Sequence, residues 1–151
     1  MNKDFSLVNK LLVKALEIWP DFFETNKPYS KGKQSLYFLT QDCYGNTAAT
    51  VLGKGMEGKE LADAVFFTTE KLTRTLLGDP RNATSFPTQN YVEKKYGGCI
   101  VSAIARVSGS GLSPKLEHLF GIRVLKECGL LGDIEYQNIQ AEYEEYKDIG
   151  R

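Results

Sequence analysis

Ser35-Leu36-Tyr37-Phe38-Leu39-Thr40-Gln41, followed by Asp42-Cys43-Tyr44-Gly45-Asn46 and then Thr47-Ala48-Ala49-Thr50-Val51-Leu52, is the stretch whose reading decides the fold. The first run is rich in aromatic and β-favouring residues, and Gly45-Asn46 can supply the positive φ angles of a tight reversal. The stretch therefore reads as a β-hairpin. Two strands joined this closely are antiparallel, because a parallel pair needs a long crossover.

Outward from the hairpin the pattern turns helical. Over residues 4–19, Phe5, Val8, Leu12, Ala15 and Trp19 recur at steps of three and four, with Leu7, Leu11 and Ile18 widening the stripe. That predicts a helix covering a sheet. Pro20 and Pro28 oppose its continuation, so residues 25–33 read as a connector. After the hairpin, Gly53 to Gly58 form a glycine-rich loop. Leu61, Val65, Leu72 and Leu76 then trace one face of a helix over 60–77, which Gly78-Asp79-Pro80 should stop. Residues 78–88 read as a polar loop.

A second hairpin is expected from a strand at 89–93, a turn at 94–98 and a strand at 99–107, followed by a Ser108-Gly109-Ser110-Gly111 loop. Ser113 and Pro114 suit the N-cap and first position of a helix running to about Cys128. Gly129 and Gly132 separate it from a last helix over 133–147. Helix, hairpin, helix, hairpin, helix, helix describes an α+β layered fold with an antiparallel sheet. We read 1–132 as the domain proper and 133–151 as a helical extension of it.

At 151 residues the chain is long enough to bury a core without staples. Nineteen basic residues balance nineteen acidic ones, and no basic stripe of the kind that neutralises phosphates appears. Nucleic acid is not an expected partner. Cys43, Cys99 and Cys128 are odd in number and widely spaced, which suits a reduced cytosolic compartment rather than a disulfide framework. No run approaches a membrane span, and residues 1–19 lack the uninterrupted apolar core of a signal peptide. A cytoplasmic protein without a membrane partner is expected.

The sharpest local motif is Gly53-Lys54-Gly55-Met56-Glu57-Gly58-Lys59-Glu60, which matches the G-x-x-x-x-G-K spacing of a phosphate loop. Glu60 stands where Ser or Thr would hold magnesium, and the preceding strand belongs to a tight hairpin rather than a parallel sheet. The overlapping G-x-G-x-x-G fails on the same topology. A glycine loop lining some other ligand site is the better reading.

His118 is the only histidine, and no G-x-S-x-G elbow accompanies it. A partly buried histidine at a helix surface is the plainer account, a ligand or acid-base role the sharper one. Three scattered cysteines and one histidine do not make a structural zinc site, and no metal is expected. Cys99 and Cys128 suit the core, and Cys43 an exposed hairpin tip. Tyr136, Ile139, Tyr143 and Tyr146 stripe the last helix opposite Glu142, Glu144 and Glu145. That stripe can dock on its own domain or meet another subunit.

Three segments, Gln41-Asp42-Cys43-Tyr44-Gly45-Asn46, residues 96–109 and Ser113-Pro114-Lys115-Leu116-Glu117, together resemble the GlcG/HbpS family, also called haem-degrading-like, which includes the C-terminal domain of PduO proteins. Asp42, Gly45 and Asn46 fit the family's Asp-x-x-Gly-Asn strand end. Lys71 fits a lysine on the following helix, Val107-Ser108-Gly109 a strand closing on Val-Ser-Gly, and Glu117 an acidic position opening the next helix. Met56-Glu57-Gly58 stands where the family has Met-Asp-Gly, and Phe66 and Phe67 are bulkier than the residues expected around the lysine.

The resemblance implies a sheet of about five antiparallel strands flanked by helices, a homo-oligomer, and in some relatives a bound haem or corrinoid. The expected function is accordingly small-cofactor binding. The pocket would be lined by the turn at 42–46 and the loops at 53–58 and 108–111, with Asp42, Gly45, Asn46, Met56, Lys71, Ser108, Gly109, Glu117 and His118 as candidate residues. His118, Met56, Cys43 and Tyr44 are the candidate iron ligands. Two alternatives stand beside this: an enzyme using Asp42, Lys71, Glu117 or His118 as acid-base groups in the same pocket, and an oligomeric scaffold with no cofactor.

Overall fold

A computed structural model describes residues 3–151. The element order is α1 (Ser6–Asn26), β1 (Ser35–Asp42), β2 (Thr47–Gly53), α2 (Gly58–Leu77), β3 (Ile100–Val101), β4 (Ala105–Ser110), α3 (Pro114–Glu127) and α4 (Asp133–Tyr146), with short 3-10 turns at Lys27–Tyr29 and Phe86–Thr88. Four antiparallel strands form one open sheet in the order β2-β1-β4-β3. The α+β class and the first hairpin are as expected from the sequence. The sheet has four strands where about five were expected.

Side-chain alternation along β1 sorts the helices onto the two faces of the sheet. Leu36 and Phe38 enter the main core with Leu11, Trp19 and Phe22 of α1 and Phe120 and Leu125 of α3. Thr40 continues that face, its hydroxyl donating to the Val8 carbonyl at 3.0 Å. Leu39 points the other way, against Leu72 of α2 and Cys99. The residues of α2 turned inward are unusually polar: Thr68, Lys71 and Thr75 are all buried. Ile139 belongs to the main core, so α4 packs on the same domain.

Three local expectations are corrected. α1 runs through Pro20 to Asn26. Proline removes one helical N–H, but its partner carbonyl on Leu16 lies on the exposed face, while Trp19 and Phe22 beyond it are buried. Core burial outweighs the missing bond.

The second hairpin is displaced. No strand forms at 89–93, where Asn90 and Lys95 make only an isolated bridge. The expected strand at 99–107 is instead split into β3 and β4, reversing at Ser102, whose hydroxyl donates to the Ala105 carbonyl at 2.8 Å. The split replaces the missing strand at 89–93, so the count stays at the four of two hairpins and the fifth strand that the resemblance implies does not form. Finally, Ser108 to Ser110 belong to β4 rather than to a loop.

Candidate functional site

β1 begins where β4 ends, Tyr37 opposite Ser110, and beyond that end of the sheet opens a cleft of about 1290 Å³. Its size suits a small molecule. The loop after β2 contributes Lys54 and Met56, the connector before β1 contributes Lys31 and Lys33, and Ser110, Gly111 and Leu112 form the end of β4 and the turn into α3. One wall is aromatic. Phe67 and Tyr96 meet edge to face at 5.3 Å, Tyr96 and Tyr91 likewise at 5.2 Å, and the Arg151 guanidinium lies 5.5 Å from the Tyr91 ring centre.

At the floor Lys71 of α2 meets Glu117 of α3. Lys71 Nζ donates to Glu117 Oε1 at 2.7 Å and to the Gly109 carbonyl at 2.6 Å. Both side chains are almost fully enclosed, at 2% and 3% exposure. Glu117 Oε2 accepts the N–H groups of Gly111 and Leu112 at 3.0 and 3.1 Å. Burial pushes the Glu117 carboxyl above its ordinary value, against the pull of Lys71 and the Leu112 N–H.

Local sequence explains why the pair fits. β3 stops pairing at Val107, and past that point the chain passes Lys71 and Glu117 as bare glycine backbone. Gly98 has φ +111°, and a Cβ there would lie 2.9 Å from Glu117 Oε1 and 3.4 Å from Lys71 Nζ. Ser113 caps α3 by accepting from the Leu116 N–H at 3.3 Å, which fixes the turn that carries Glu117.

The candidate residues divide into three groups. Met56, Lys71 and Glu117 line the cleft, while Ser108 and Gly109 do not, Gly109 reaching it only through its carbonyl on Lys71. The Ser108 hydroxyl is occupied in holding β4 to the Thr68 carbonyl at 2.8 Å.

Asp42, Gly45 and Asn46 form the hairpin tip at the other end of β1, seven residues or about 23 Å from the cleft. Asp42 accepts from the Tyr44 and Asn46 N–H groups at 2.9 Å each and from Asn46 Nδ2 at 2.8 Å. Burial would raise the Asp42 carboxyl, but these bonds outweigh it and hold it below the ordinary range. The turn at 42–46 is thus a self-contained hairpin lock and does not line the cleft.

His118 is fully buried rather than at a helix surface. It stacks on Tyr143 at 4.4 Å, meets Phe86 edge to face, and shares a 2.8 Å hydrogen bond with Gln140 Oε1. Burial pushes its imidazole below the ordinary value. The Tyr stripe of α4 is therefore used inside the domain. Asp42 and His118 stand apart from Lys71 and Glu117, so the four do not form one acid-base constellation.

Sequence reasoning missed the aromatic wall and the residue that braces it. Arg74 bonds Glu70 at 2.9 Å, Thr88 Oγ1 at 2.8 Å and the Tyr96 carbonyl at 2.6 Å, tying α2 to the 85–96 segment. The Glu70/Arg74 spacing of four was the available signal.

Of the four candidate iron ligands only Met56 lines the cleft; Cys43 and Tyr44 lie at the far hairpin tip and His118 in the core. Among the described residues no group of three or more His, Cys, Asp or Glu is placed to hold a metal ion, and no helix is long and apolar enough to cross a membrane. No protein-family model matches the chain, and comparisons with curated proteins and with solved structures give no match. The fold and site together describe an antiparallel α+β protein with a small-molecule-sized cleft, floored by a buried ion pair, at one end of its sheet.

Proposed function

We propose that this chain is a cytoplasmic, small-cofactor-binding module of the GlcG/HbpS type, and that its ligand occupies the cleft at the start of β1 and the end of β4. The observation that carries the reading is the cleft's construction. An aromatic wall of Phe67, Tyr96 and Tyr91 shares the cleft with Met56 and with the polar pair Lys71 and Glu117, a composition suited to a flat molecule with a polar edge. The family resemblance is supported by the meeting of Lys71 and Glu117, two positions it singled out separately, beside Gly109 of the Val-Ser-Gly strand end.

Haem and corrinoids are the first ligands to test. Haem iron would depend on Met56, the one candidate ligand of the four within the cleft. Titration of the purified protein with haem and with cyanocobalamin, followed by visible spectroscopy, should give saturation near one ligand per chain. Met56→Ala should alter the haem spectrum. Absence of saturable binding by either compound would remove the tetrapyrrole reading.

The same resemblance implies a homo-oligomer. Phe66 (63% exposed) and Leu77 (83% exposed) on the outer side of α2 support that as a contact surface. Sedimentation of wild type and Phe66→Asp tests it: a wild-type monomer at micromolar concentration would end this part of the proposal.

A further inference from the structure

We propose that the cleft floor is an oxyanion subsite, in which Ser110 Oγ and the remaining Nζ proton of Lys71 receive a carboxylate or phosphate group of the bound molecule. This deepens the cofactor-binding reading and rests on it.

Ser110 is the last residue of β4, lines the cleft, and is only 5% exposed, yet its hydroxyl has no hydrogen-bond partner among the described residues. Buried hydroxyls are ordinarily satisfied, and one left open at the wall of a cleft points to a group that arrives with the ligand. Lys71 stands next to it in the structure, bonded to the carbonyl of the preceding residue, Gly109. An ammonium has three protons, and Glu117 Oε1 and Gly109 account for two. Both Glu117 oxygens are already engaged, by Lys71 and by the Gly111 and Leu112 N–H groups. The carboxylate is thus held back from the ligand, and its charge is matched by Lys71.

Two donors remain at the floor, which select an acceptor oxygen; the ammonium donor makes the stronger bond to a charged acceptor, while Glu117 balances its net charge. Lys31, Lys33, Lys54 and Arg151 and the N-terminal end of α3 at Pro114 place positive charge around the cleft, opposed in part by Glu57 and Glu60, while Asp63 is paired with Lys59.

The test uses ¹⁵N-labelled wild type and Ser110→Ala, titrated with inorganic phosphate and, separately, with succinate, alongside melting temperatures and the haem and cyanocobalamin titrations. Saturable shifts of the 109–112 amides are expected with one of the two anions, and whichever binds names the oxyanion. Ser110→Ala should weaken that binding at least fivefold while the melting temperature stays level or rises, since the hydroxyl it removes bonds nothing in the fold.

Haem or cobalamin binding that is saturable, equal in wild type and Ser110→Ala, and unaccompanied by anion shifts would overturn the subsite and leave the cofactor reading standing. Anion shifts that are unsaturable or unchanged in the variant would also overturn it, as would a melting temperature several degrees lower, which would assign the hydroxyl to the fold. Silence from every ligand would overturn both proposals.

Discussion

Lys71 and Glu117 come from helices whose main packing lies on opposite faces of the sheet, 46 positions apart, and meet at 2.7 Å past the end of β3. Their contact joins α2, β4 and α3 at one point. A buried pair of this kind costs desolvation on both sides, so its worth lies in being complete. Lys71→Met or Glu117→Gln alone should each destabilise the fold by about 3–5 kcal/mol, because either leaves a buried partner unmatched. The double variant Lys71→Met/Glu117→Gln should lose less than the sum of the singles. Urea denaturation of the four proteins checks this.

His118 gives a pH dependence with a defined sign. Burial lowers its folded-state value below the unfolded one of about 6.5, so the neutral ring's contribution is present above that pH. As pH falls below about 6.5 the unfolded chain takes up a proton the folded one refuses. Stability then declines by at most about 1.4 kcal/mol per pH unit. Glu117, raised by burial, acts in the opposite direction above the ordinary carboxylate range. The difference between wild type and His118→Phe isolates the histidine: the variant should show a flatter slope from pH 6.5 to 5.

Glu142 holds α4 to the segment after α2. Its oxygens accept the Ala83 N–H at 3.0 Å, the Thr84 N–H at 2.8 Å and the Thr84 hydroxyl at 2.6 Å. Glu142→Ala should cost about 1–3 kcal/mol, since Thr84 is buried and would lose its acceptor. Hydrogen exchange should quicken at the Ala83 and Thr84 amides.

Gly98→Ala should be destabilising by more than about 1 kcal/mol, as φ +111° disfavours a side chain and the new methyl meets Glu117. Chemical denaturation checks it, and a variant as stable as wild type would contradict the close passage of this backbone over the ion pair.

Thiol chemistry should separate the cysteines. Cys43 is exposed, whereas Cys99 is enclosed and burial pushes its thiol up to about 11. Native protein at pH 8 should react with one equivalent of a disulfide reagent promptly, at Cys43, and with Cys99 and Cys128 only on unfolding.

The first hairpin, the Ser113-Pro114 start of α3 and the span of α4 were legible because their signals are local: a turn pair, a cap and a helical period. The second hairpin was misplaced because Cys99-Ile100-Val101-Ser102-Ala103-Ile104-Ala105 reads as one β-favouring run. The break comes from Ser102 folding back on Ala105 and from the Glu135 carboxylate of α4 accepting the Ala103 N–H at 3.0 Å. Pro20 looked like a stop because its cost is local, while the burial of Trp19 and Phe22 is tertiary.

At the candidate site, family-like positions located Lys71 and Glu117. Nothing in the spacing could show that Asp42 serves only its own turn, or that His118 lies beneath α4. Ser110 was visible only as one member of a glycine-serine run, and its open hydroxyl is a property of the folded neighbourhood.

The last described residues close against the cleft. Gln89 Nε2 donates to the Lys147 and Ile149 carbonyls, the Gly150 carbonyl accepts from the Tyr91 N–H at 2.7 Å, and Arg151 reaches the mouth. Any peptide appended after Arg151 therefore emerges beside the opening. A segment placed there would crowd the entrance and bring its own charges to it.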